Sequence, residues 1–192
     1  MLMQHFVNNE SARYISQKEN LSYISVQNYY KIFRHLCATI SQREYDNIRH
    51  KRCEYEEYYY VDKSKKMKRE AIFDAHNFLT FDFENHIYTL LMPSLIQYKQ
   101  QFIRDGMDGA YIDEFNKYKR DNKIIKVLKH ENNIVKFWNH FEKSILKYKG
   151  VKSNSFEFFL KECEFKYNHT KEQAVKLLIA QHYLKKNYNF YV

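Results

Sequence analysis

A chain of 192 residues, 44% of them hydrophobic, can bury the core of one compact domain with a small appendage, and no uninterrupted apolar run is long enough to cross a bilayer. With 32 Lys and Arg against 23 Asp and Glu, the net charge of +9 favours a polyanionic partner. Three cysteines (Cys37, Cys53, Cys163) are odd in number and widely spaced, which argues against a disulfide framework or a zinc ribbon and predicts buried thiols. The opening MLMQHFVNNESARY lacks the basic-then-apolar layout of a signal peptide, so the expected compartment is the cytoplasm.

Residues 11–41, SARYISQKENLSYISVQNYYKIFRHLCATIS, offer a short helix through Ala12 and Ile15, a polar turn at Glu19–Ser22, and a longer helix from about Ser25 to Thr39. Ile24, Tyr29, Ile32, Phe33, Leu36 and Ile40 are expected to face inward. Gln27, Asn28, Lys31 and Arg34 are then left for solvent or DNA, and amide and guanidinium groups are the types that read base edges in a major groove. A helix-turn-helix and a plain helical hairpin with a solvated polar face fit the residues equally well.

Residues 41–57 read as a charged connector, the one plausible domain boundary. YYYV, Tyr58 to Val61, reads as a strand ending in Asp62. Two apolar runs, residues 71–81 and 86–92, are split by DFEN and suggest a β-hairpin stopped by Pro93. SLIQYKQQFIRDG suggests a helix closed by Gly106, AYI a short strand leading into Asp113, and KIIKVLKH a further strand. Strands first, helices interleaved and a helical end make an α/β chain with a mixed sheet.

Residues 130–170 read as two helices. Ile134, Phe137, Trp138, Phe141, Ile145 and Tyr148 recur at three- and four-residue intervals, and Gly150 stands where a left-handed residue can close the helix. Ser153, Asn154 or Ser155 can cap the second helix, whose face is Phe156, Phe159, Leu160, Cys163 and Tyr167.

The letters themselves, FW, then KSILKYKGV, then FEFFLKECEFKYNH, resemble the C-terminal signature of small insertion-sequence DDE transposases of the IS fifteen-ninety-five (ISXO-two-like) family. The resemblance extends over nearly the whole chain, from about Leu2 to Lys186. It implies an RNase H-like mixed sheet with C-terminal helices at 46–192, preceded by a helix-turn-helix DNA-binding region at 1–45. It also implies metal-dependent cleavage and strand transfer on double-stranded DNA, with Mg²⁺ or Mn²⁺ held by carboxylates and a homo-oligomer assembled on DNA.

Against the family pattern, Asp62 takes the first acidic position and Asp113 the second, each at a strand end. Taken without the resemblance, an aspartate after a strand is a turn residue. At the third position Phe137–Trp138 anchors the match, and the expected glutamate is Val135. Glu131, four residues earlier on the same helical face, is the nearest alternative carboxylate, with Asn132 beside it; Glu142 lies about 10 Å along the axis. The glycines of the family's loops are missing too: the stretch after Asp62 has none, and Glu114 follows Asp113. The resemblance therefore also admits an inactive, transposase-derived DNA-binding regulator or remnant. Lys143, Lys147, Lys149 and Lys152, near the turn between the last helices, are candidate phosphate contacts, or simply a solvated face.

Overall fold

The computed structural model describes residues 2–61, 71–127, 132–148, 151 and 153–188, with the side chains at 118–119, 121–127, 153 and 185–188 excepted. Asp62, Glu131, Lys149, Gly150 and Lys152 lie outside the described residues. The fold is mixed α/β, mostly helical, with a three-stranded antiparallel sheet. Two compact units divide it: Met1–Arg52 with His140–Val192, and Cys53–Asn139.

The first unit is all helical among the described residues. Helices α1 (Leu2–Val7), α2 (Ala12–Lys18) and α3 (Tyr23–Ile48) pack with α7 (Ser153–Asn168) and α8 (Lys171–Tyr188). Ser11 caps α2 by accepting from the Tyr14 amide at 3.2 Å. The turn into α3 is made by Asn20, whose φ of 51° closes α2 in the left-handed region, with the Leu21 amide donating back to the Ser16 carbonyl. Asparagine supplies here what glycine usually does.

Helix α3 is longer than expected, running nine residues beyond Thr39, and its buried stripe is rotated from the expected one. Val26, Tyr30, Phe33, Leu36, Cys37 and Ile40 are buried, whereas Ile24, Tyr29 and Ile32 are 68%, 46% and 39% exposed. The two stripes share Phe33, Leu36 and Ile40. The observed one prevails because Val26, Tyr30 and Cys37 extend it in register at four- and seven-residue spacings. Its partners are Phe6, Val7, Ile15, Phe165, Ala174 and Leu178. Tyr30 also donates its hydroxyl proton to the Glu10 carbonyl at 3.0 Å.

Helix α7 gives way to α8 at a pair of capping bonds. Thr170 and Gln173 form a capping box for α8, each backbone amide donating to the other's side chain. The C-terminal helices, expected to continue the second domain, thus fold with the N-terminal ones. Cys37 and Cys163 are buried thiols as expected, and burial pushes both well above the ordinary thiol range; Cys53 is exposed.

In the second unit, strands β1 (Glu54–Tyr60), β2 (His76–Phe83) and β3 (His86–Leu91) form an antiparallel meander in the order β1-β2-β3. β1 begins four residues before the expected strand. The β2–β3 hairpin turns on Glu84 and Asn85, with φ of 54° and 75°, the two-residue geometry whose twist matches that of the strands. Residues Ala71–Asp74, expected to open the first hairpin strand, form a 3₁₀ turn. Gly106, at φ 67°, closes α4 (Lys99–Arg104) as the sequence suggests.

Where two further strands are expected, one helix runs instead: α5 (Asp108–Val127) covers AYI and most of KIIKVLKH. Between Met107 and Val127 no proline interrupts the chain, and Asp108 adds a favourable charge in the first turn. Ile112 and Phe115 bury against Val61, Ala71, Ile72, Phe73 and Ala75, with Phe102 stacked on Tyr111 at 4.3 Å. Phe115 also meets Tyr59 edge-on at 5.5 Å, so α5 covers one sheet face. On the other face lies the start of α6 (Asn133–Ile145). Trp138 is 4.7 Å from Tyr58, and its indole N–H donates to the buried Thr80 hydroxyl at 2.9 Å.

Candidate functional site

Position 135 is the centre of the expected catalytic reading, and its side chain is 2% exposed on α6. The Val135 amide donates to Asn132 Oδ1 at 2.9 Å, while the same side chain donates through Nδ2 to Glu56 on β1 at 3.1 Å. Asn132 therefore works as a helix cap and a tie to the sheet. Asp113, expected at the end of a strand, is instead an exposed residue in the second turn of α5.

Divalent metals in such a site need several hard oxygen ligands converging on one point. Among the described residues no group of three His, Cys, Asp or Glu gathers in that way, and valine offers no oxygen. Of the expected carboxylates, Asp62 and Glu131 lie outside the described residues, and Asp113 is the one that is described.

The residues expected to meet DNA are placed unevenly. Asn28 and Lys31 are exposed on α3. Gln27 is half-buried at the edge of the helix, its amide donating to the Tyr23 hydroxyl at 2.6 Å. Arg34 faces the other way: its Nε donates to Glu162 at 2.6 Å and its guanidinium lies over the Tyr148 ring. Lys143 and Lys147 are exposed in and just after the last turn of α6.

What the sequence reading missed is the buried charge inside KECEFKYNH. Glu162 is 2% exposed and bound by two cations, Arg34 from α3 and Lys166 from its own helix. Burial by itself would push its carboxyl up, but the charges and hydrogen bonds of Lys166 and Arg34 hold it below the ordinary carboxylate range. Lys166 also donates to the Phe6 carbonyl and to Asn9, and stands 4.0 Å over the Phe6 ring. Glu164, fully buried, takes both its oxygens to Lys161.

The signature thus ties α1, α3 and α7 together. Periodicity could not have found this, because Glu162 and Glu164 flank the apolar Cys163 and read as a solvated edge; the signal was the pairing of two acids with Lys161 and Lys166 at three- and four-residue spacing. Beside the cluster lies a small cavity lined by Asn9, His140, Ser144, Tyr148, Phe159 and Glu162 among others. His140 is held neutral by burial and then by the charges of Lys166, Lys147 and Lys143.

No helix among the described residues is long and apolar enough to cross a membrane. Over 91 residues, 46% of this chain and 72% of the relative, the chain is 30% identical to an uncharacterized transposase-like protein of Haemophilus influenzae. No family model matches the chain, and no solved structure matches it.

Proposed function

This chain belongs to the transposase-like proteins, and we propose that it is a double-stranded-DNA-binding member in which metal-dependent cleavage and strand transfer have been lost. The observation that carries the loss is Val135, an apolar, 2% exposed side chain on α6 where the family pattern has its third carboxylate. The placement of Asp113 on the outside of a helix supports the same reading. We take the meander β1–β3, with a helix on each face, as the opening part of an RNase H-like sheet that α5 has diverted.

DNA binding is assigned to α2 and α3 as a helix-turn-helix. A four-residue turn separates them at Glu19–Ser22, α3 carries exposed amide and cationic side chains in its first turns, and the chain has a net charge of +9. Such proteins are taken to act in the cytoplasm, as a homo-oligomer on DNA.

The test is a paired assay on DNA flanking the gene: binding by gel shift and nicking with Mg²⁺ or Mn²⁺, beside Asp113→Asn. Selective binding without cutting is the expected result. Cutting that vanishes in Asp113→Asn would overturn the loss of chemistry and restore a working enzyme built on Asp62, Asp113 and a substitute such as Glu131.

A further inference from the structure

The outward face of α3 has an unusual chemistry for its position. Ile24, Asn28 and Lys31 follow one another at four- and three-residue steps opposite the buried stripe, with Ile32 at the side of that face. Ile24 is 68% exposed, and Tyr14, Leu21, Tyr23, Tyr29 and Ile32 are each at least 39% exposed nearby. A single exposed isoleucine is ordinary, but a run of six large apolar side chains over nineteen residues of two helices and their turn marks a surface that meets something. The face ends at His35, whose ring packs 4.0 Å from Phe158.

Charge indicates the kind of partner. Arg13, Lys18 and Lys31 are exposed on these two helices, while the neighbouring acids Glu10 and Glu19 both turn onto His5. Exposed cations beside acids already paired with His5 suit a polyanion rather than a second copy of the same basic surface.

The base type follows from which side chains are available. Guanine is most often read by a bidentate arginine; of the two arginines of this helix, Arg34 is held by Glu162 inside the unit and Arg43 lies about 28 Å along the axis from Ile24. An asparagine fits the N6 and N7 edge of adenine, and an aliphatic group packs on the C5-methyl of thymine. Ile24 and Asn28 are four residues apart, about 6 Å along the helix, close to two base-pair steps of about 3.4 Å each.

Resting on the DNA-binding reading above, we infer that α3 selects A·T pairs, with Asn28 on an adenine and Ile24 and Ile32 against thymine methyl groups. Arg34 takes no part in base reading and holds the helix through Glu162. Lys31 contacts phosphate.

The experiment selects duplexes from a randomised pool with the full chain, then measures anisotropy on the enriched duplex, its uracil-for-thymine version, and a version with A·T changed to G·C. The inference expects A·T enrichment, a loss of roughly fourfold on removing one contacted methyl, and a loss of roughly tenfold for Asn28→Ala. It also expects Ile24→Ala to narrow the difference between thymine and uracil duplexes, and Ile24→Ala with Ile32→Ala to bind the two alike. All these variants are at exposed positions, and an unchanged thermal melt confirms that they fold.

Enrichment of G·C pairs, or equal binding of the thymine and uracil duplexes by the unaltered chain, overturns the inference while leaving DNA binding intact. No binding to any duplex overturns both. If Ile24→Ala leaves affinity unchanged but alters the sedimentation coefficient, the face belongs to a second copy, and the inference fails.

Discussion

His169 stands where α7 runs out of partners for its last carbonyls. One ring nitrogen lies 2.8 Å from the Phe165 carbonyl and the other 2.9 Å from Glu44 on α3, so both nitrogens face acceptors and the doubly protonated ring satisfies both. Burial pushes the imidazole toward its neutral form; the Glu44 hydrogen bond, the Phe165 bond and the Glu44 charge outweigh it and hold the pKa above the ordinary 6.5. A raised folded-state value means that this stabilisation is full below the unfolded value and is lost as pH rises through the folded one. His169→Asn should therefore lose about 2 kcal/mol at about pH 5.5. The gap to the unaltered protein should narrow as pH rises above about 6.5. Urea unfolding of both proteins across that range checks it, and a gap independent of pH would contradict it. His140 titrates with the opposite slope but is present in both proteins, so it cancels in the difference.

Among the elements, those with strong local signals were legible in the sequence. The β2–β3 hairpin followed from the four-residue break DFEN between apolar runs, although β2 keeps its first two residues, and α6 from the spacing of Phe137, Trp138 and Phe141. Helix α5 was not legible, because Ala110, Tyr111 and Ile112 form a short apolar run of the kind that favours strands, while the contacts that make it helical come from residues 61–75. The rotation of α3 was hidden for a related reason: its two candidate stripes share three residues, and the packing of α1, α2, α7 and α8 chooses between them. Of the expected catalytic residues, Asp62 and Glu131 lie outside the described residues, and Asp113 moved with α5. Helix α6 offers a direct check on Val135. Restoring the family's acid with Val135→Glu buries an unpartnered carboxylate beneath the sheet, and should cost about 3 kcal/mol or more. A lower urea midpoint without any gain of nicking is the expected outcome; an unchanged midpoint would mean that this position reaches solvent.

For the molecule as a whole, the excess of nine positive charges supplies cations for phosphate contacts, and the number of contacts made sets how strongly any DNA affinity depends on salt. Lys143 and Lys147 are exposed, and neither lies on α3. Replacing either with alanine should weaken binding to all sequences alike and flatten the plot of log affinity against log salt by about one, whereas Asn28→Ala should change preference and leave that slope unchanged. An unaltered slope in Lys147→Ala would remove it from the interface. The bond between Arg34 and Glu162 joins residues 128 positions apart, and the same core gathers Phe6 and Leu178. A ribosome delivers the N-terminal helices first, so their apolar sides stay uncovered until the last helices emerge. A message cut short before that point yields helices with no finished core beneath them. On the proposed reading, the ability to recognise DNA would thereby be withheld from incomplete copies, a form of quality control written into chain connectivity rather than into any binding residue.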